Sequence, residues 1–260
     1  MRRLGDRDDD VRSVAASCLL PVAEHLVNQL PDELPRVLAV LWSCLSNMKD
    51  DLSSSVGAVM ELLGKLVAYD KVINIIANPE QSQPLSMLAP TLFPFFRHTI
   101  SNVRLEVVKT LHSFMSVPSL PRDWLSVQFL QLLFQNMIVE ERTDIRDATL
   151  AAWRMLLSTL SAKPGWLESL VSQAQLLQWY NVMMTPLGTP VDISTFYDPA
   201  LAKSLDQGTE RHNVDKNMIA QDLSLISTET VIAARVAAAT SMAYVMAVWP
   251  NLVRILSASW

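Results

Sequence analysis

Glycine is scarce in this chain, with six among 260 residues. That supply is too thin for glycine-dependent turns throughout an all-β fold. Gly57 followed by Gly64-Lys65 is the one stretch resembling a phosphate loop, and it fails. The interval is six residues rather than four, Leu66 stands where Ser or Thr is required, and the stretch reads as helix. Cysteine is rarer still. Cys18 and Cys44 lie in apolar helical patterns, match no zinc spacing and are too few for a disulfide scaffold, so both are expected to be buried free thiols in a reducing compartment. Charged residues make up only 18%, and 21 basic against 26 acidic residues leave a formal net charge of −5. A broad nucleic-acid-binding face is therefore not expected. His25, His98, His112 and His212 do not cluster with acids or cysteines at ligand spacing, so no metal site is supported. There is no Gly-x-Ser-x-Gly elbow and no dinucleotide fingerprint. The sequence thus predicts neither catalysis, nor a cofactor, nor a small-molecule substrate.

Membrane signals are equally thin. Met1-Arg2-Arg3 runs straight into Asp6-Arg7-Asp8-Asp9-Asp10, which is no signal-peptide core. The most membrane-like stretch, Val231 to Trp249, carries Arg235 and much alanine, and is read as a buried helix.

What is present is a phrase that recurs. Asp9-Asp10-Val11-Arg12 leads into Ala15, Ala16, Leu19 and Leu20. Asn102-Val103-Arg104 leads into Val107, Val108 and Leu111, and Asp144-Ile145-Arg146 into Ala148, Ala152 and Trp153. Ala234-Arg235-Val236 opens an alanine-rich helix, and Asp51 to Val56 is a copy without arginine. From Arg12 to Arg104 is 92 residues, from Arg104 to Arg146 is 42, and from Arg146 to Arg235 is 89. Two-helix repeats of the HEAT type have a period of ~40–47 residues. The spacing predicts an all-α, HEAT-type α-solenoid of about five to six antiparallel helix pairs.

Apolar periodicity places the helices. They fall over 10–29 with a break at Pro21, from Pro35 to about Met48, over 53–68, over 85–98 interrupted by Pro90 and Pro94, and from Val103 to Met115. Further helices follow from Trp124 to Ile138, over 145–160, over 166–184 and over 228–249. Where a repeat is due near residue 190, the chain reads Thr185-Pro186-Leu187-Gly188-Thr189-Pro190 and stays polar to about Ile226. The organisation expected is repeats over 1–184, an insertion over 185–226, partly ordered or disordered, and continuing helices over 227–260. Trp42, Trp124, Trp153, Trp166, Trp179 and Trp249 fall on apolar faces and are expected in the core. Neither end carries the polar cap of a free solenoid, so the chain reads as a piece of a longer protein.

Asp or Asn before a helix satisfies its free N–H groups, and the arginine one turn in is expected to pair with an acid on the next repeat. Capping needs one acid per turn. Asp6, Asp8, Asp9 and Asp10, then Asp50 and Asp51, then Glu140, Glu141 and Asp144 supply two to four. The surplus predicts an acidic rim that attracts a basic protein partner. Phe196 and Tyr197, in the proline-flanked insertion beside Asp192 and Asp198, are further candidate contacts, with packing onto the stack as the competing fate.

Particular residues also carry a resemblance. Gly5-Asp6-Arg7-Asp8-Asp9-Asp10-Val11-Arg12-Ser13-Val14-Ala15-Ala16 resembles a phrase in the HEAT-repeat region of the Swi/Snf-type ATPases that remove TATA-binding protein from promoter DNA. The run from Phe93 to Arg104 is similar to a later phrase of that region. His212-Asn213-Val214-Asp215-Lys216, Gln221-Asp222 and Ala234 to Ala239 resemble the fungal members in particular. The resemblance implies the central, TATA-binding-protein-interacting stretch: a non-catalytic, nuclear segment that helps a separate ATPase motor dissociate its partner from DNA. A rigid spacer, or a generic HEAT scaffold or transport adaptor, is the alternative.

Overall fold

Asp8 shows how the first helix begins. In the computed structural model its carboxylate accepts the backbone N–H groups of Asp10 at 2.9 Å and Val11 at 3.3 Å, capping α1 (Asp9–Leu19). Pro21 then divides the predicted long helix, and α2 (Ala23–Gln29) follows. Residues 2–46, 55–78, 80, 83–184, 228–249 and 252 are described. Among them every regular element is a helix, so the fold is all-α.

The next elements are α3 (Leu34–Ser46), α4 (Ser55–Leu66), α5 (Asp70–Ala77) and α6 (Leu85–Leu88). The two prolines predicted to interrupt the 85–98 helix turn Ala89–Arg97 into 3-10 geometry, and α7 (Ser101–Ser116) follows. Beyond it come α8 (Val127–Val139), α9 (Thr143–Ser161), α10 (Trp166–Leu170), α11 (Gln173–Met184) and α12 (Thr228–Val248). Connections as short as the one between α8 and α9 force antiparallel neighbours. Four helix pairs follow the opening α1–α2 layer among the described residues: α3 with α4, the 3-10 stretch with α7, α8 with α9, and α11 with α12. Two compact units result, residues 1–125 and 126–260.

In the first unit α1 lies against α4, and α4 against α7. Gly57 and Gly64, seven residues apart on α4, face α7. A Cβ on Gly57 meets Val103 Cγ2 at 3.6 Å, and one on Gly64 meets Thr110 Oγ1 at 3.4 Å. Their role is close helix approach, not phosphate binding. Trp42, Phe114 and Trp124 pack in the core of this unit, with ring centroids 6.3 and 6.4 Å apart. Trp124 is buried from the turn before α8 rather than from the helix itself.

In the second unit α8 is the central element, with every residue from Phe129 to Ile138 buried. Phe134 stacks on Trp179 at 4.8 Å, and Trp153 meets Trp179 edge-on at 5.5 Å. Burying one such side chain fully contributes ~1.5–3 kcal/mol. One buried polar pair is satisfied internally: the Asn136 amide donates to Thr149 Oγ1 at 2.8 Å, and that hydroxyl donates to the Ile145 carbonyl at 2.8 Å. Val231–Val248 is one helix long and apolar enough to cross a membrane by length and composition. It packs on α8, α9 and α11 through one face, with Ala234, Ala238, Met242 and Val245 buried, and its Arg235 Nε donates to the Met183 carbonyl at 3.1 Å. Ile232, Val236 and Met246 on it stand exposed, so the helix is buried on one side only and not throughout as expected.

Several expectations need correction. The predicted helix over 166–184 is broken at Val171-Ser172. There Ser172 and Gln175 cap each other: Ser172 N–H donates to Gln175 Oε1 at 2.8 Å, and Gln175 N–H to Ser172 Oγ at 3.3 Å. Helix α5 fills a stretch the periodicity left without an element. Trp166 is half-buried, with Lys163 over its ring, and Cys18 is exposed while Cys44 is half-buried. The predicted insertion over 185–226 lies outside the described residues.

Candidate protein-binding turns

The turns before α1, α7 and α9 carry the candidate contacts, and the recurring arginine organises the first two of them. Arg12, Arg104 and Arg146 are each the fourth residue of their helix, α1, α7 and α9. Arg12 turns back and donates from Nη1 to the carbonyls of Asp6 at 2.8 Å and Arg7 at 3.1 Å. Arg104 does the same to His98 at 2.8 Å and Thr99 at 3.2 Å. In both copies the carbonyls lie six and five residues upstream of the arginine. The guanidinium therefore ties the turn to the helix that follows it. The expected pairing with an acid of the next repeat is not what Arg12 makes; its ion pair is with Asp9 of its own helix, at 2.8 Å. Nor does side-chain capping recur: α7 and α9 start after Ile100 and Arg142, without a side-chain cap.

The link between layers runs instead through Asp9. One carboxylate oxygen accepts the Ser55 N–H at 3.2 Å, at the first residue of α4, and the other takes the Ser55 hydroxyl. Arg12 Nε adds a bond to Ser55 Oγ at 3.4 Å. Asp9 is thus half-buried in the joint between two helices, while Asp8 and Asp10 stand exposed beside it. Asp6 is held below its ordinary carboxyl range by the Asp8 N–H and then by Arg3, whose Nη1 lies 3.0 Å away.

In the second unit the α8–α9 turn is built differently. Glu140 is buried, and its carboxylate accepts the Arg142 N–H at 3.2 Å. Arg142 forks onto Asp144, Nε to Oδ1 at 3.0 Å and Nη2 to Oδ2 at 2.7 Å. That pair lowers the Asp144 carboxyl below its ordinary range and raises the Arg142 guanidinium above its own. Both members are exposed, as is Glu141.

Of the predicted contacts, Asp8, Asp10, Glu141 and Asp144 present carboxylates at the surface, whereas Glu140 and Asp9 face inward. Asp50, Asp51, Phe196 and Tyr197 lie outside the described residues. Sequence reasoning overlooked Ser55. The signal was available: Asp9, Ser55 and Ser101 are spaced 46 residues apart and open α1, α4 and α7. Among the described residues no group of three or more His, Cys, Asp or Glu is arranged to hold a metal ion.

The model of a domain of unknown function, DUF3535, matches residues 152–257. The chain is 32% identical to TATA-binding protein-associated factor mot1 of Aspergillus fumigatus, over 96% of the chain and 15% of that protein. It is 29% identical to the factor of the same name from Schizosaccharomyces pombe, over 95% of the chain and 14% of the relative. To TATA-binding protein-associated factor 172 of Homo sapiens it is 32% identical, over 82% of the chain and 11% of the relative. The chain therefore spans about 15% of the length of the curated relatives it matches.

Proposed function

Because this chain is homologous, along nearly its whole length, to one segment of the mot1-type TATA-binding protein-associated factors, we propose that it is a non-catalytic module that binds TATA-binding protein. It serves a transcription regulator in the nucleus, and a motor elsewhere in the longer protein supplies the ATP-driven work of removing TATA-binding protein from DNA. The observation that carries this reading is the extent of the match, 95–96% of the chain in the fungal relatives. An isolated shared helix pair does not give that. The architecture supports it: within each unit, packed helix pairs present their connecting turns as adaptable contacts. Asp8, Asp10, Glu141 and Asp144 give those turns a negative field suited to a basic protein surface.

The test is a titration of purified TATA-binding protein into the labelled chain. Binding at micromolar concentration or tighter is expected; no binding assigns the segment to the rigid-spacer role. Reversing Asp10 and Glu141 to lysine is expected to weaken binding, more at low salt than at 0.15 M, where charges are screened beyond about 8 Å. Unchanged affinity in that pair of variants removes the acidic turns from the interface.

A further inference from the structure

Arg146 occupies the position that Arg12 and Arg104 use to clamp their turns, yet its guanidinium makes no hydrogen bond or ion pair among the described residues; only its backbone N–H is paired, to the Arg142 carbonyl at 3.0 Å. The reason lies in the turn itself. The buried Glu140 carboxylate takes the Arg142 N–H, and the Arg142–Asp144 fork closes the turn from outside. With those two devices in place the clamp is redundant, and the guanidinium is released. The residue is half-buried, and the donors of its head group are unclaimed among the described residues. Repeat architecture explains the other two arginines and leaves this one without a structural task.

We propose that Arg146 is a docking residue whose guanidinium forks onto a carboxylate of the bound protein. This rests on the partner reading given above. A carboxylate fits better than a nucleic-acid phosphate because Glu140, Glu141, Asp144 and Asp147 outnumber Arg142 and Arg146 in the same eight residues. A polyanion meets net repulsion there, whereas a protein surface that sets one acid among basic groups is matched on both counts. Two parallel N–H···O bonds also fix orientation, which a lone ammonium does not.

The experiment compares the parent chain with Arg146→Ala, Arg146→Lys and Arg104→Ala, measuring melting temperature and affinity for purified TATA-binding protein. Arg146→Ala is expected to melt with the parent and bind about tenfold more weakly, the lower end of what a charge-assisted hydrogen bond contributes. Arg146→Lys is expected to recover only part, and Arg104→Ala to lose stability. Parent-like affinity in Arg146→Ala overturns the assignment, and so does a melting loss as large as that of Arg104→Ala, which marks a hidden structural role. Binding of a short DNA duplex alone that is lost in Arg146→Ala also overturns it, in favour of phosphate. If the parent chain itself fails to bind, the partner reading falls and takes this inference with it; that result is visible before any substitution is made.

Discussion

The carboxylate of Asp9 accepts the backbone N–H of Ser55 at 3.2 Å, so the first residue of α1 caps the first residue of α4. A repeat spacing of 46 residues in the sequence thus has a physical joint in the fold. The joint is electrostatic as well as steric, because a carboxylate at a helix N-terminus also meets the positive end of the helix dipole.

Removing that carboxylate weakens the joint between the two layers. Asp9→Ala is expected to destabilise the chain by about 1–2 kcal/mol, as for loss of a strong N-cap, and Asp8→Ala by about 1 kcal/mol. Urea unfolding measures both. A neutral Asp9→Ala would show that solvent caps α4 equally well.

Arg12 and Arg104 each hold one part-buried turn carbonyl, that of Asp6 or His98, and one exposed one. Replacing either with alanine is expected to cost about 1–3 kcal/mol, the range for acceptors left without a charged donor. Lysine at either position is expected to be a poor substitute, since one ammonium on a flexible stem does not reproduce the fork. Thermal melts of the four variants decide this.

The α4–α7 contact separates two glycines by space. Gly57→Ala places its methyl at ordinary contact distance from Val103, so helix propensity prevails and stability rises by about 0.5–1 kcal/mol. Gly64→Ala presses on Thr110 Oγ1 at 3.4 Å and is expected to gain less or nothing. Thr110 is buried with its hydroxyl unpartnered among the described residues. Thr110→Val is therefore expected to be neutral or stabilising, by up to about 1 kcal/mol. Destabilisation on Thr110→Val would reveal a partner for that hydroxyl.

His112 gives a pH dependence with a defined sign. Burial lowers its imidazole below the ordinary value of 6.5, so the unfolded chain takes up the proton first. Its contribution is fully present above pH 6.5 and is lost as pH falls through the lower folded value. Stability measured from pH 7 downward should fall less steeply in His112→Gln than in the parent. Parallel curves would place the dependence elsewhere.

Much of the fold was legible because apolar spacing reports helices directly. Val37, Leu38, Leu41, Trp42 and Leu45 share a buried face of α3, as their spacing of three and four predicts. Helix α5 was missed because Val72, Ile73, Ile75 and Ile76 form a short β-branched run whose period is ambiguous. The break before α11 was masked by apolar residues on both sides, although Ser172-x-x-Gln175 is a capping signature. The candidate turns were legible in position but not in chemistry. A carbonyl carries no residue identity, so nothing in the sequence marks the oxygens of Asp6 or His98 as ligands for an arginine. Burial of Glu140 likewise depends on how its turn folds over, and Asp9 reads as surface charge until Ser55 is brought beside it.

The buried stretch of α8, Phe129 to Ile138, sets the order in which the second unit opens. Its amides from Phe129 to Ile138 are covered on every side by α9, α12 and their neighbours, so no local fraying exposes them. Their hydrogen exchange proceeds only when the unit comes apart as a whole, whereas the five-residue α10 exchanges through small openings. The slowest-exchanging amides of α8 therefore read out the global unfolding free energy of that unit directly, without denaturant.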